Sequence, residues 1–460
     1  MSDNIDNTSS HQAKPYSIKQ ILRFSIPSLF GLFLFMMPLT YNGDTTIPVA
    51  VLAAMMRSLI GQNITIIVAN TIIFMALISL AYSLYQPKFL RNVTFIHQLL
   101  SPSPTWIFVR LIGGFCAFCI SQKVGPQWIW DANTGGLVLN DLLPTLFSVF
   151  TFAGLLLPFL LNFGLLEFFG TLLGKVMRPL FNLPGRSAID CMTSWLGDGS
   201  VGILLTSKQF EEKFYTQREA AVVGTTFSAV SITFTLIVLA QVKLESLFVP
   251  FYFTICFAGL VAAVILPRIP PLSLKHDLYI DGSTPQEEHH HIPQGHSYFS
   301  WGFKLAINKA ESVKSLRNIL FEGVRNSLDM VLGVLPVVMA LGTIALVLAE
   351  HTAAFSILGQ PFIPFLEWLG VPHAVEASKT VMVGFADMFI PAIVISSVDS
   401  DITKFIIAAM SVTQLIYMSE VGALLLGCKI PINIFELFII FILRTLITMP
   451  IICIAANFIF

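Results

Sequence analysis

Trp195-Leu196-Gly197-Asp198-Gly199-Ser200 interrupts an apolar run near its middle, and Gly384-Phe385-Ala386-Asp387-Met388-Phe389-Ile390-Pro391 interrupts another. Both place an acid beside residues that break helices. A charged side chain inside a membrane segment is costly, and non-helical backbone at that depth is tolerated only where protein buries it or a wet cavity receives it. These two breaks therefore mark the parts of the chain where a bilayer-spanning reading demands a special arrangement.

The surrounding sequence requires that reading. Of the residues, 55% are hydrophobic and 12% charged, and the mean hydropathy is +0.78, beyond what a soluble core of this length tolerates. Charge is nearly absent from Phe24 to Tyr41, Ile64 to Tyr85, Leu142 to Phe163, Ala221 to Ala240, Leu247 to Leu266, Met330 to Ala349 and Ile432 to Leu443. Each approaches or reaches the roughly 20 residues that a membrane-crossing helix needs. The fold expected is an all-α polytopic membrane protein with about 9–11 transmembrane or re-entrant helices. The net charge of −1, without clustered unpaired Lys and Arg, gives no reason for a nucleic-acid partner. The six cysteines lie almost entirely in apolar stretches, and Cys116-x-x-Cys119 has no soluble βαβ context, so packing is the simpler account.

Basic residues orient the chain. Lys14, Lys19 and Arg23 precede the first apolar run, which lacks a small-residue cleavage pattern, so an uncleaved anchor with a cytoplasmic N-terminus is expected, as for a multi-pass inner-membrane protein. Lys88 and Arg91 then fall inside. A span around Trp106 to Ser121 leads to an outer loop, Lys123 to Asn140, and Leu142 to Phe163 returns the chain to Lys175, Arg178 and Arg186. The polar segment Pro267 to Asn326, rich in Lys and Arg, is placed in the cytoplasm, with Asp281 to Gly295 as a linker and Trp301 to Glu322 along the inner membrane surface. His289, His290, His291 and His296 fit a solvated linker better than a metal site. Ile47 to Gly61, which carries Arg57, reads either as a half-crossing or as a helix whose arginine snorkels.

An order of features recurs when Leu142 to Ala240 is set beside Met330 to Leu426. Leu173-Gly174, Pro179 and Leu183-Pro184-Gly185 in the first correspond to Leu358-Gly359, Pro364 and Leu369-Gly370 in the second, and Gly174 to Pro179 has the spacing of Gly359 to Pro364. An interrupted segment, a charged linker and a hydroxyl-rich helix follow in each. By the orientation above, the first half opens from outside to inside and the second from inside to outside, as in carriers with inverted repeats and a midplane site. The divisions expected are a cytoplasmic tail at 1–23, N-terminal helices at 24–140, one repeat at 141–266, a cytoplasmic linker at 267–328 and the other repeat at 329–460.

The Gly-Asp-Gly and Ala-Asp cores of the breaks resemble the nucleoside-recognition or Gate domain, and the chain resembles the YjiH-like membrane proteins from about Leu142 to Phe460. Concentrative nucleoside transporters, ferrous-iron permeases and spore-maturation proteins share that domain. The resemblance implies a nucleoside or similar small polar solute; amino acids or small peptides are the alternative cargo, and a non-transporting part of a regulatory or morphogenetic assembly is the alternative role. Gly170-x-x-x-Gly174-Lys175 falls one residue short of a phosphate loop, so close helix packing explains it better. No enzymatic motif and no cofactor site is read.

Candidate site residues follow from position. Asp198 with Gly199 and Ser200, and Asp387, fit either a solute or coupling-ion site or the capping of half-helix amides. Thr413, Tyr417 and Glu420, with Gln414 beside them, are expected to share the face of one helix and line a cavity. Thr225, Ser228, Ser231 and Thr235 form a weaker counterpart. Lys379 can pair with Glu376, sit at the outer interface or meet a substrate anion, and Asp190 is expected to pair with Arg186. Arg110, Glu167 and Arg444 are read as snorkelling from helix ends. The partners expected are the bilayer, a small solute with room for a coupling cation, and a second copy or a membrane subunit.

Overall fold

The computed structural model describes residues 16–37, 39–41, 44–85, 94–100, 103–196, 199–227, 232–285 and 297–460. Among them, seven helices are long and apolar enough to cross a membrane. The chain is thus an all-α polytopic membrane protein, and many large aliphatic and aromatic side chains on its long helices are exposed. The small antiparallel hairpin of β1 (Leu39–Tyr41) and β2 (Asp44–Thr46) is an ornament between two helices.

The helices that open the chain include α1 (Ile18–Met36), α2 (Pro48–Ile60), α3 (Asn63–Tyr85) and α4 (Pro104–Gln122), with a short helix, Thr94–Leu100, between the last two. The awkward α2 is a short helix laid against Leu143–Leu161, with Arg57 Nη1 donating to Thr145 Oγ1 at 2.6 Å.

Two series of elements follow in the same order. The first comprises α5 (Leu143–Leu161), α6 (Leu165–Phe181), α7 (Ser187–Leu196), α8 (Gly199–Glu211), α9 (Gln217–Thr226), α10 (Ile232–Gln241) and α11 (Phe248–Ile265). Helices α12 (Tyr298–Ser312) and α13 (Leu316–Asp329) intervene. The second series comprises α14 (Leu335–His351), α15 (Ala354–Gly359) with α16 (Ile363–Trp368), α17 (Ala374–Val383), α18 (Ile390–Ile395), α19 (Asp401–Gln414), α20 (Val421–Gly427) and α21 (Ile434–Ile459).

Each series opens with a π-helical turn that runs into Leu-Pro, at Val138–Leu142 before Leu143-Pro144 and at Met330–Val334 before Leu335-Pro336. Proline is tolerated there because the first turn of a helix has no use for its missing amide. The two series also exchange contacts: α13, which leads into α14, packs on α5, while α4, which precedes α5, packs on α14. Likewise α8 meets α20, and α10 meets α18.

Two expectations need correction. Ala221 to Ala240 is not one span, because α9 ends at Thr226 and α10 starts at Ile232. Trp301 to Glu322 is not one surface helix: Val313 ends α12 in an extended conformation, and Ser315 caps α13, which lies on α5. The start of the polar segment folds back on the turn between α8 and α9, where the Gln217 amide donates to Leu278 at 2.8 Å and Lys213 pairs with Asp281 at 2.5 Å. The four linker histidines lie outside the described residues, as do Lys14, Lys88 and Arg91. At 1.5 Å per residue, α7, α9, α17 and α19 each reach about 15–20 Å, roughly half of a bilayer's apolar thickness.

Candidate functional site

The interruption after α17 follows from its sequence. Gly384 caps the helix, and Pro391 occupies the opening turn of α18, where its lack of an amide does no harm. Between them Asp387 Oδ1 accepts from the amides of Phe389 at 2.8 Å and Ile390 at 3.3 Å, and Oδ2 accepts from Ser419 Oγ at 2.7 Å. Asp387 therefore caps the half-helix and, through its other oxygen, ties that break to the next.

The next break lies between α19 and α20. Leu415 takes a left-handed conformation at φ 59°, which ends α19 immediately after Gln414. Residues 415–420 are not helical, and the amides of Met418 and Ser419 donate to the carbonyls of Phe385 at 2.7 Å and Ala386 at 2.9 Å. Two interrupted segments thus satisfy each other's backbone where no water need be present. This overturns the expectation that Thr413, Tyr417 and Glu420, with Gln414 beside them, share one helix face: Thr413 and Gln414 end a helix, while Tyr417 and Glu420 lie beyond its end. Tyr417 Oη still reaches Glu420 Oε2 at 3.3 Å.

Gln414 is 1% exposed and its Nε2 donates to Val381 O at 3.1 Å and Thr445 Oγ1 at 2.9 Å, while its Oε1 has no partner among the described residues. A Cβ on Gly384 would stand 2.0 Å from that oxygen, so glycine is the residue that leaves it room. An unmatched acceptor in a dry site costs about 1–3 kcal/mol, which a ligand donor would recover.

In the first series Ser200 is buried in the opening turn of α8 and Gly199 begins that helix, whereas Asp198 lies outside the described residues together with Ser228 and Ser231. Asp190 is fully buried; Arg186 lies near enough to act on it through charge but makes no contact ion pair with it. It accepts from Thr206 Oγ1 at 3.2 Å, Tyr215 Oη at 2.9 Å and Gln209 Nε2. Arg186 instead stacks on Phe214 at 3.7 Å and lies 3.7 Å from Glu167. This network was invisible in the sequence because its donors follow Asp190 by 16–25 residues.

The snorkelling assignments also change. Arg110 is 6% exposed and donates to Leu99 O at 2.8 Å, Ser79 Oγ at 3.2 Å and Gly333 O at 3.4 Å. Arg444, 2% exposed, lies well inside α21, so its headgroup has no short route to an interface. Glu167 pairs with Arg186, and Lys379 is exposed without an ion pair to Glu376. A cavity of about 460 Å³ at the far ends of α8 and α20 holds Lys208, which bridges Glu211 and Asp329 at 3.0 Å each. Its lining includes none of the residues singled out at the breaks. In the near-miss glycine motif the backbone of Gly170 is closely approached, since a Cβ on Gly185 would lie 2.1 Å from Gly170 O, whereas a Cβ on Gly174 would meet nothing within 4 Å.

Residues 143–245 match the family model Gate, described as nucleoside recognition. Over 439 residues, 95% of either chain, this protein is 47% identical to an uncharacterized protein of Alkalihalophilus pseudofirmus. No solved structure matches.

Proposed function

From the Gate domain at residues 143–245 of this membrane protein we propose that it is a secondary transporter for a small polar solute of the nucleoside type. The solute binds where the interrupted helices meet. What supports this reading above all is the pairing of the second-series breaks around the unmatched Gln414 carbonyl oxygen. A nucleobase amine or sugar hydroxyl supplies the donor this oxygen lacks, while Glu420 and Tyr417 stand on the same connection. Asp387 keeps its capping contacts and positions Ser419. Asp198, Gly199 and Ser200 complete the site from the first series.

The two series, 141–266 and 329–460, act as inverted repeats that rock about this site. The N-terminus and the linker at 267–328 lie in the cytoplasm, and the membrane is the inner one. Small-residue faces leave room for a second copy or a partner subunit. Catalysis has no part in this reading.

Thermal melting of purified protein against nucleosides, nucleobases, amino acids and dipeptides tests it. A nucleoside that stabilises the unmutated chain, and stabilises Asp198→Asn and Asp387→Asn less, is the expected result. Absence of stabilisation by every compound, with both variants melting earlier, leaves a non-transporting assembly component as the better account.

A further inference from the structure

Arg444 forms no ion pair among the described residues. Its hydrogen bonds go to backbone: Nε donates to Thr413 O, and Nη1 donates to Thr226 O at 3.2 Å. Thr226 is the last residue of α9, and Thr413 is the last but one of α19. The guanidinium therefore sits at the C-terminal ends of two half-helices, one from each series. Carbonyls in a final helical turn lack intrahelical donors, and the helix dipole makes that end negative.

Interrupted helices in carriers use such carbonyls to coordinate a coupling cation. We propose that Arg444 is a resident cation at this position, filling the place of a bound monovalent ion, so that no coupling ion binds at these carbonyls. The assignment rests on the transporter reading above. Arginine suits the task because it stays charged, is weakly hydrated and spreads its donors over a planar fork that reaches two carbonyls at once. Charge-assisted bonds to both helix ends offset the cost of a mid-membrane charge. The end of α19 is fixed in turn by neighbours of Arg444, since Gln414 donates to Thr445 at 2.9 Å and Thr413 Oγ1 lies 3.4 Å from Thr448 Oγ1. Beside the guanidinium is a cavity of about 70 Å³ lined by Thr226, Thr413, Tyr252 and Cys256, and no carboxylate lines it. Truncating Arg444 would join that space to the emptied position and expose the two carbonyls to a small ion.

The test is melting of the purified full chain, without solute, in NaCl, LiCl, KCl and choline chloride at equal ionic strength. The unmutated protein should melt alike in all four. Arg444→Met should gain saturable stabilisation by Na⁺ or Li⁺ over choline, a rise in Tm of about 1 °C for each kcal/mol of ion binding in a chain of 460 residues. Arg444→Lys, which keeps the charge, should remain insensitive, and it carries the test should the methionine variant not fold. Saturable stabilisation of the unmutated chain or of Arg444→Lys by any of these ions overturns the assignment, as does a folded Arg444→Met that melts alike in all four salts. No solute is present, so such a failure leaves the transporter reading standing. Failure of the nucleoside panel with the cation pattern intact breaks that reading alone.

Discussion

The first-series hairpin, α7 with α8, and the second-series hairpin, α17 with α18, occupy the same place in the order of elements but are braced differently. In the first, among the described residues, the acid that gathers donors is Asp190, held by Thr206, Gln209 and Tyr215. Its arms also pack without a gap, since a Cβ on Gly202 would fall 1.6 Å from Ser194 Oγ. In the second, α18 is a helix of only 6 residues, and the bracing comes at the tip itself, from Asp387 and from backbone bonds to the break of α19. A side-chain network holds one hairpin as a rigid piece. Pairing between two breaks makes the other hairpin dependent on its neighbour, which suits a site that opens and closes.

Substitutions can break or sharpen that contrast. Asp190→Ala should have the largest effect on stability, about 3–5 kcal/mol, because three buried donors lose their acceptor together; denaturant unfolding in detergent measures it. Gly384→Ala should cost about 1–3 kcal/mol by forcing the Gln414 amide aside, and it should weaken solute-dependent stabilisation as well. Asp387→Ala removes a cap worth about 1 kcal/mol, so its loss of stability should be smaller than its loss of solute response. Gly174→Ala is the control, since a Cβ there meets nothing within 4 Å; inside α6 it should be neutral or add up to about 1 kcal/mol. If Asp387→Ala destabilises as much as Asp190→Ala, the two hairpins are braced alike and the contrast is void.

The membrane fold and the recurrence of its elements were legible because apolar length, Leu-Pro and Leu-Gly spacing and mid-segment acids are local signals. What was not legible depends on where a helix stops. Thr413, Tyr417 and Glu420 are spaced for one helical face, and only the left-handed Leu415 shows that the helix ends between the first of them and the other two. Ala221 to Ala240 reads as one apolar span in the same way, although α9 and α10 divide it. Arg444 looked like a terminal arginine because the apolar run before it ends there, yet α21 continues to Ile459 and buries it. Asp190 and Arg186 share helical spacing, but partners from distant segments claim both.

Uptake of labelled uridine and adenosine into liposomes containing the purified chain tests the central claim most directly. Accumulation above protein-free liposomes, falling about tenfold or more in Gln414→Ala as expected for a lost buried hydrogen bond, is the predicted result. Uptake of either nucleoside that is unchanged in Gln414→Ala, or no uptake of either above protein-free liposomes, would contradict a nucleoside site at the meeting of the breaks.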